Sequence, residues 1–169
     1  MYKLFTIPQS KHSSGFHFRP HIGRKSLQYD IMFDSGAKYY HGDIDQYDIN
    51  KLFGLSFGHH HTNSVRFGWR SLGNLTTSVE ILSYCYLNGN RVNEDGQNLF
   101  ISMVDIGRYY TYRIDISDKF YTLTILDDKK VIGQKIVYHK PIPCWGYQLY
   151  PYFGGNKKAP HDIKILFKR

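Results

Sequence analysis

The chain has 169 residues, 41% hydrophobic and 21% charged, enough to bury one core without staples. A net charge of +8 calls for an acidic partner (anionic glycan, nucleic acid or anionic surface) without choosing among them. Two cysteines, Cys85 and Cys144, exclude a disulfide framework, and no apolar run approaches membrane-spanning length. The first eight residues lack the basic region, apolar run and small-residue cleavage site of a signal peptide. The expectation is a soluble protein, cytoplasmic or else released with a virus particle, with no membrane insertion. His12–Lys25 reads as an irregular strand or loop, and Asp45–Leu52 has room for one helical turn. From there a period of two dominates, in Leu27–Phe33, Ser64–Arg70, Val79–Leu87, Leu99–Ile106, Tyr109–Ile116, Phe120–Leu126, Tyr147–Phe153 and Asp162–Phe167. Hairpin punctuation falls at Asn88-Gly89-Asn90, Asp95-Gly96, Asp127-Asp128 and Gly154-Gly155-Asn156. Many short strands at this spacing predict one all-β domain over residues 1–169. The expected architecture is a two-sheet antiparallel sandwich of jelly-roll or concanavalin-like kind.

Two of these strands predict a functional face. Alternation sends Val65, Phe67 and Trp69 to one side of Ser64–Arg70, and Ser64, Arg66 and Arg70 to the other. In Val79–Leu87, Val79, Ile81, Cys85 and Leu87 share the core face, while Tyr84 and Tyr86 share the other with Glu80 and Leu82. Ser71–Ser78 is turn-like, so the two strands make a hairpin. Matching its core faces brings Ser64, Arg66, Tyr84 and Tyr86 together outside. Tyrosine stacks on the apolar face of a sugar, arginine clamps a carboxylate, and serine bonds a sugar hydroxyl. A solvated face with tyrosines chosen for strand propensity has the same pattern.

Three segments in order, Asn50-Lys51-Leu52-Phe53-Gly54-Leu55, Ser64-Val65-Arg66-Phe67-Gly68-Trp69-Arg70 and Ile81–Tyr86, resemble jelly-roll polysaccharide lyases acting on alginate and glucuronan, families fourteen and twenty. Leu149-Tyr150-Pro151-Tyr152-Phe153-Gly154-Gly155, followed by Ala159-Pro160, resembles their near-terminal strand and loop. Phe53 stands where the family has proline, and the glutamate before its paired tyrosines is displaced to Glu80. The resemblance implies Lys51, Ser64, Arg66, Tyr84 and Tyr86 as catalytic residues. Arg70, His61, Tyr150 and Tyr152 are flanking substrate-binding candidates. The implied reaction removes the proton α to a uronate carboxylate, and the charge that develops needs Lys51 and Arg66 beside it. The implied partner is an acidic polysaccharide or another glycan, with no cofactor and no metal. The alternatives are a non-catalytic glycan-binding protein and a virion or appendage structural jelly roll, which could be an oligomer.

His59-His60-His61 invites a metal reading, but consecutive residues in extended backbone cannot converge on one ion, and a polar loop is expected. The 22 Lys and Arg are dispersed, with short doublets and no nucleic-acid-module motif, which disfavours a nucleic-acid partner.

Overall fold

The computed structural model describes residues 2–92 and 99–169, so the expected Asp95-Gly96 turn lies outside the described residues. Its strands are β1 Tyr2–Ile7, β2 Pro20–Ile22, β3 Ser26–Phe33, β4 Asn50–Ser56, β5 Ser64–Ser71, β6 Ser78–Leu87 and β7 Asn90–Arg91. They continue with β8 Phe100–Asp105, β9 Tyr110–Ile116, β10 Phe120–Asp127, β11 Lys130–Tyr138, β12 Trp145–Leu149 and β13 Ile163–Lys168. One sheet runs β1-β13-β3-β9-β10-β11; the other runs β2-β12-β4-β5-β6-β7, with β8 also paired to β6. All pairings among the named strands are antiparallel, as a jelly-roll sandwich requires. No helix of the described residues is long and apolar enough to cross a membrane.

The alternating positions meet between the sheets. Val65, Phe67, Trp69, Ile81 and Cys85 are buried there, and Leu87 packs at the margin. Trp69 lies 5.1 Å from Phe33 of the facing sheet, ring centre to ring centre. On one side the sandwich is closed by β8 against β11, where the Ser102 hydroxyl reaches the Ile132 carbonyl at 3.4 Å. On the other side the gap between β1 and the segment after β12 is filled by rings, with Phe5 5.6 Å from Tyr150 and His17 4.9 Å from it.

Several elements differ from expectation, each for a local reason. The helical turn is a 3₁₀ turn at Ile44–Tyr47, started by the Asp43 carboxylate accepting from the Asp45 N–H, and the chain is extended again from Asn50. Strand β4 escapes alternation because nearly all of it is buried, with a bulge between Lys51 and Phe53. Strand β11 escapes it because it is a largely exposed edge strand interrupted by Gly133. The run Tyr147–Phe153 is shorter as a strand: β12 stops at Leu149, before Pro151, which has no N–H for a ladder. Gly154-Gly155-Asn156 is no hairpin, since the strands on either side, β12 and β13, belong to different sheets. The other two turns are tight hairpins, with left-handed backbone at Asn88 and Gly89 and again at Asp128 and Lys129.

Candidate functional site

Direct cross-strand partners point to the same face of a sheet. Strand pairing therefore lays out the outer face of the β4–β5–β6 sheet as three rows. Gly54, Arg66 and Tyr84 form the middle row, with Ser56, Ser64 and Tyr86 on one side and Lys51, Gly68 and Leu82 on the other. The rows extend onto the next segment, where Leu149 pairs with Gly54 and Tyr152 bridges to Lys51. The Lys51 N–H donates to the Tyr152 carbonyl at 2.8 Å, and the Tyr152 N–H returns the bond at 2.9 Å.

Tyr84 is the centre of this face. The Lys51 Nζ lies 4.8 Å from its ring centre, the Arg91 guanidinium carbon 5.7 Å and the Arg66 guanidinium carbon 5.9 Å. Tyr86 is 6.0 Å away, edge to face. Burial alone would push the Tyr84 phenol up, but the Lys51 charge, hydrogen bonding to Arg91 and Tyr86, and the Arg91 charge outweigh it and hold the phenol below its ordinary value. Burial, reinforced by Arg66 and Arg91, in turn pushes the Lys51 ammonium down, with Tyr84 opposing.

Arg66 is only 8% exposed, and its Nε has no hydrogen-bond partner. Among the described residues it forms no ion pair. Burial lowers its pKa, with the Tyr84, Tyr147 and Tyr86 phenols opposing. A buried guanidinium without a carboxylate is costly, and an incoming anion relieves that cost. Two glycines make the geometry possible. A Cβ on Gly54 would stand 2.0 Å from the Val65 carbonyl and 2.8 Å from the Arg66 Cγ. A Cβ on Gly154 would stand 2.1 Å from the Ile49 carbonyl and 2.7 Å from the Lys51 Nζ.

The other sequence candidates fall differently. Ser64 sits opposite Tyr86 but is fully buried, and its hydroxyl donates to the His60 carbonyl at 2.7 Å, holding the histidine turn. Arg70 shares the face but is engaged by Glu80 and, at 3.2 Å, by the Tyr47 carbonyl. His61 borders the cluster, its ring 5.3 Å from Tyr86. Tyr152 stacks on His12 at 5.4 Å, with the Lys51 Nζ 5.8 Å from its ring centre. Tyr150 does not join them; it turns to the opposite side of its segment, against Phe5 and His17.

Three residues that the sequence reading left out belong to the site. Arg91 reaches Tyr84 from β7, a two-residue strand too short for any periodic signal. Tyr147 and His60 meet at 2.7 Å, Tyr147 hydroxyl to His60 Nδ1, on the β12 side of the face. Burial first, then Arg66, His61 and His59, hold the His60 imidazole down to about 4, so it is neutral at pH 7 and its Nδ1 can accept from Tyr147. The spacing of Tyr147 with Trp145 and Leu149 was a readable signal for that face.

No protein-family model matches the sequence, and no curated protein does either. The fold is nevertheless shared with solved structures. An alginate lyase from Klebsiella pneumoniae superposes with a TM-score of 0.58 at 12% identity, covering 85% of this chain and 57% of that one. The alginate lyase AlyC3 gives 0.55 at 8% identity, covering 98% of this chain and 72% of that one. A functionally unknown protein from Saccharomyces cerevisiae gives 0.60 at 11% identity, covering 99% and 85%. Identities this low establish the fold, and fold alone does not carry function. The chain spans little more than half the length of the Klebsiella enzyme.

Proposed function

We propose that the outer face of the β4–β5–β6 sheet binds an acidic polysaccharide and cleaves it by β-elimination. One observation carries the reading: Arg66 is a buried cation with an unpartnered Nε and no carboxylate beside it among the described residues. Such a group suits a ligand that brings its own anion. The fold neighbours named as alginate lyases support a carbohydrate ligand.

In this mechanism Arg66 and Lys51 take the uronate carboxylate and neutralise the charge that grows when the α-carbon is deprotonated. Tyr84, its phenol held low beside Lys51, is the base in its ionised form. It removes the α-proton, the electrons form the carbon–carbon double bond, and the bond to the glycosidic oxygen breaks. Tyr86, hydrogen-bonded to Tyr84, serves in this reading as the acid that passes a proton to the departing oxygen. Ser64 and Gly54 serve this face by holding the histidine turn and by leaving room for Arg66.

A non-catalytic glycan-binding role has one observation in its favour, that Arg66 and Tyr84 are both largely covered. The two readings separate in one assay. Incubation with alginate or glucuronan should generate the ultraviolet absorbance of an unsaturated uronate without added cofactor. Retention on polyuronate columns with no chromophore, over a broad pH range, would overturn the lyase reading and leave binding.

A further inference from the structure

Away from that face, the ring-filled side of the sandwich holds a cavity of about 140 Å³ lined by Lys3, Phe5, Arg19, Tyr29, Gln148, Tyr150, Phe167 and Arg169. It shares no residue with the Lys51–Arg66–Tyr84 cluster. We propose that this pocket is a second glycan site, taking a single sugar residue that carries a negative charge.

Three features of the pocket match three features of such a sugar. The floor is aromatic: Phe5, Tyr29 and Phe167 pack with ring centres 4.7 Å and 5.2 Å apart, and Tyr150 adjoins them. Phe5, Tyr29 and Phe167 are buried, so the ring on which the apolar face of a sugar can stack is half-buried Tyr150. Among the described lining residues no side chain is acidic, Lys3 and Arg19 are cationic, and neither of these two forms an ion pair. The Lys3 Nζ stands 4.7 Å from the Phe5 ring centre and 5.6 Å from that of Tyr150. Nearby Arg24 feels the same crowding: burial first lowers its pKa, and the Arg19 and Arg169 charges lower it further, against Tyr29 and Tyr150. Lys3 and Arg19 are solvent-exposed, so what they offer an anion is attraction at the surface rather than a buried charge. Tyr29 and Gln148 also line it, a buried pair in which the Gln148 Nε2 donates to the Tyr29 hydroxyl at 2.9 Å and that hydroxyl donates to the Gln148 Oε1 at 3.1 Å, leaving remaining acceptor capacity on both oxygens. The volume lies below the ~300 Å³ at which pockets for drug-sized ligands begin, so one ring fits rather than a buried chain segment.

The test is a nuclear magnetic resonance titration of the full chain with glucuronate, glucose and inorganic sulfate. Glucuronate should shift the signals of Tyr150, Gln148 and Phe167, and glucose should shift them far less. Arg19→Ala should weaken that response at least about tenfold, as expected for loss of a charge-assisted hydrogen bond. Tyr150→Leu, which keeps every charge, should weaken it as well. Arg66→Ala should leave it unchanged, because the two sites are separate; this variant also distinguishes failure here from failure of the first site. The proposal falls if glucuronate leaves these signals unmoved, if sulfate alone moves them equally, or if Arg66→Ala abolishes the response.

Discussion

Arg66 and Tyr84 are directly opposite one another across the β5–β6 ladder, each 8% exposed, with the guanidinium carbon 5.9 Å from the ring centre. A phenol and a guanidinium so placed need a third group, an anion, to balance the local charge. On the proposed function the pairing couples stability to binding, and the two should move in opposite directions when the charge is removed.

Arg66→Met should stabilise the free protein and abolish polyuronate binding. It removes a buried cation that has no ion-pair partner among the described residues and keeps most of the volume, so a gain on the order of 1 kcal/mol or more is expected. Thermal unfolding of both proteins, with and without alginate, checks this. Alginate should raise the midpoint of the wild type only. A large loss of stability in Arg66→Met would mean that the guanidinium is satisfied internally.

Tyr84→Phe should lower the elimination rate by about 10²–10⁴-fold with little change in binding, since the ring remains and the ionisable hydroxyl is lost. Wild-type rate should rise with pH as the Tyr84 phenol ionises, at a pH below that of an ordinary tyrosine. It should fall again as Lys51 loses its proton, earlier than an ordinary lysine does. The rate–pH profile measures both limbs, and a wild-type profile without a rising limb would argue against tyrosinate as base.

Acid should destabilise the fold through His60. Its imidazole titrates at about 4 when folded and near ~6.5 when unfolded, so the unfolded chain binds the extra proton between these values. The stabilising contribution is complete above ~6.5, declines as pH falls through this window, and is gone below about 4. His21, His41 and His61 are shifted down as well, each by burial first, and contribute in the same direction. Denaturant midpoints from pH 4 to 7 should therefore slope less in His60→Gln than in the wild type, without becoming flat.

Gly54→Ala should cost at least about 1–3 kcal/mol and weaken binding, because the new methyl meets the Val65 carbonyl and the Arg66 side chain. Chemical denaturation reads the first effect and polyuronate retention the second. Trp69→Ala is the control for a core change without a site change: it should cost about 3–5 kcal/mol, since Trp69 is fully buried between the sheets.

The half of the site carried by β5 and β6 was legible in the sequence. A half-buried antiparallel strand must alternate, and a hairpin with matched core faces puts Ser64, Arg66, Tyr84 and Tyr86 on one outer face. The register that sets Arg66 opposite Tyr84 and Ser64 opposite Tyr86 is fixed only by the strand pairing of the structure. What alternation cannot express is how deep a residue lies on its own face or where its polar atoms turn. Ser64 is on the expected side yet buried, with its hydroxyl given to His60, and Arg70 is occupied by Glu80. Nor could local pattern resolve the chain beyond Leu149, where Pro151 ends the ladder and Tyr150 and Tyr152 part to different surroundings. Arg91 and the Tyr147–His60 pair reach the site through contacts between residues distant in sequence or on strands too short for a period. Periodicity is a property of one strand and its neighbour; the charge around Tyr84 is set by four separate segments of the chain, and only the assembled β4–β5–β6–β7 sheet brings them together.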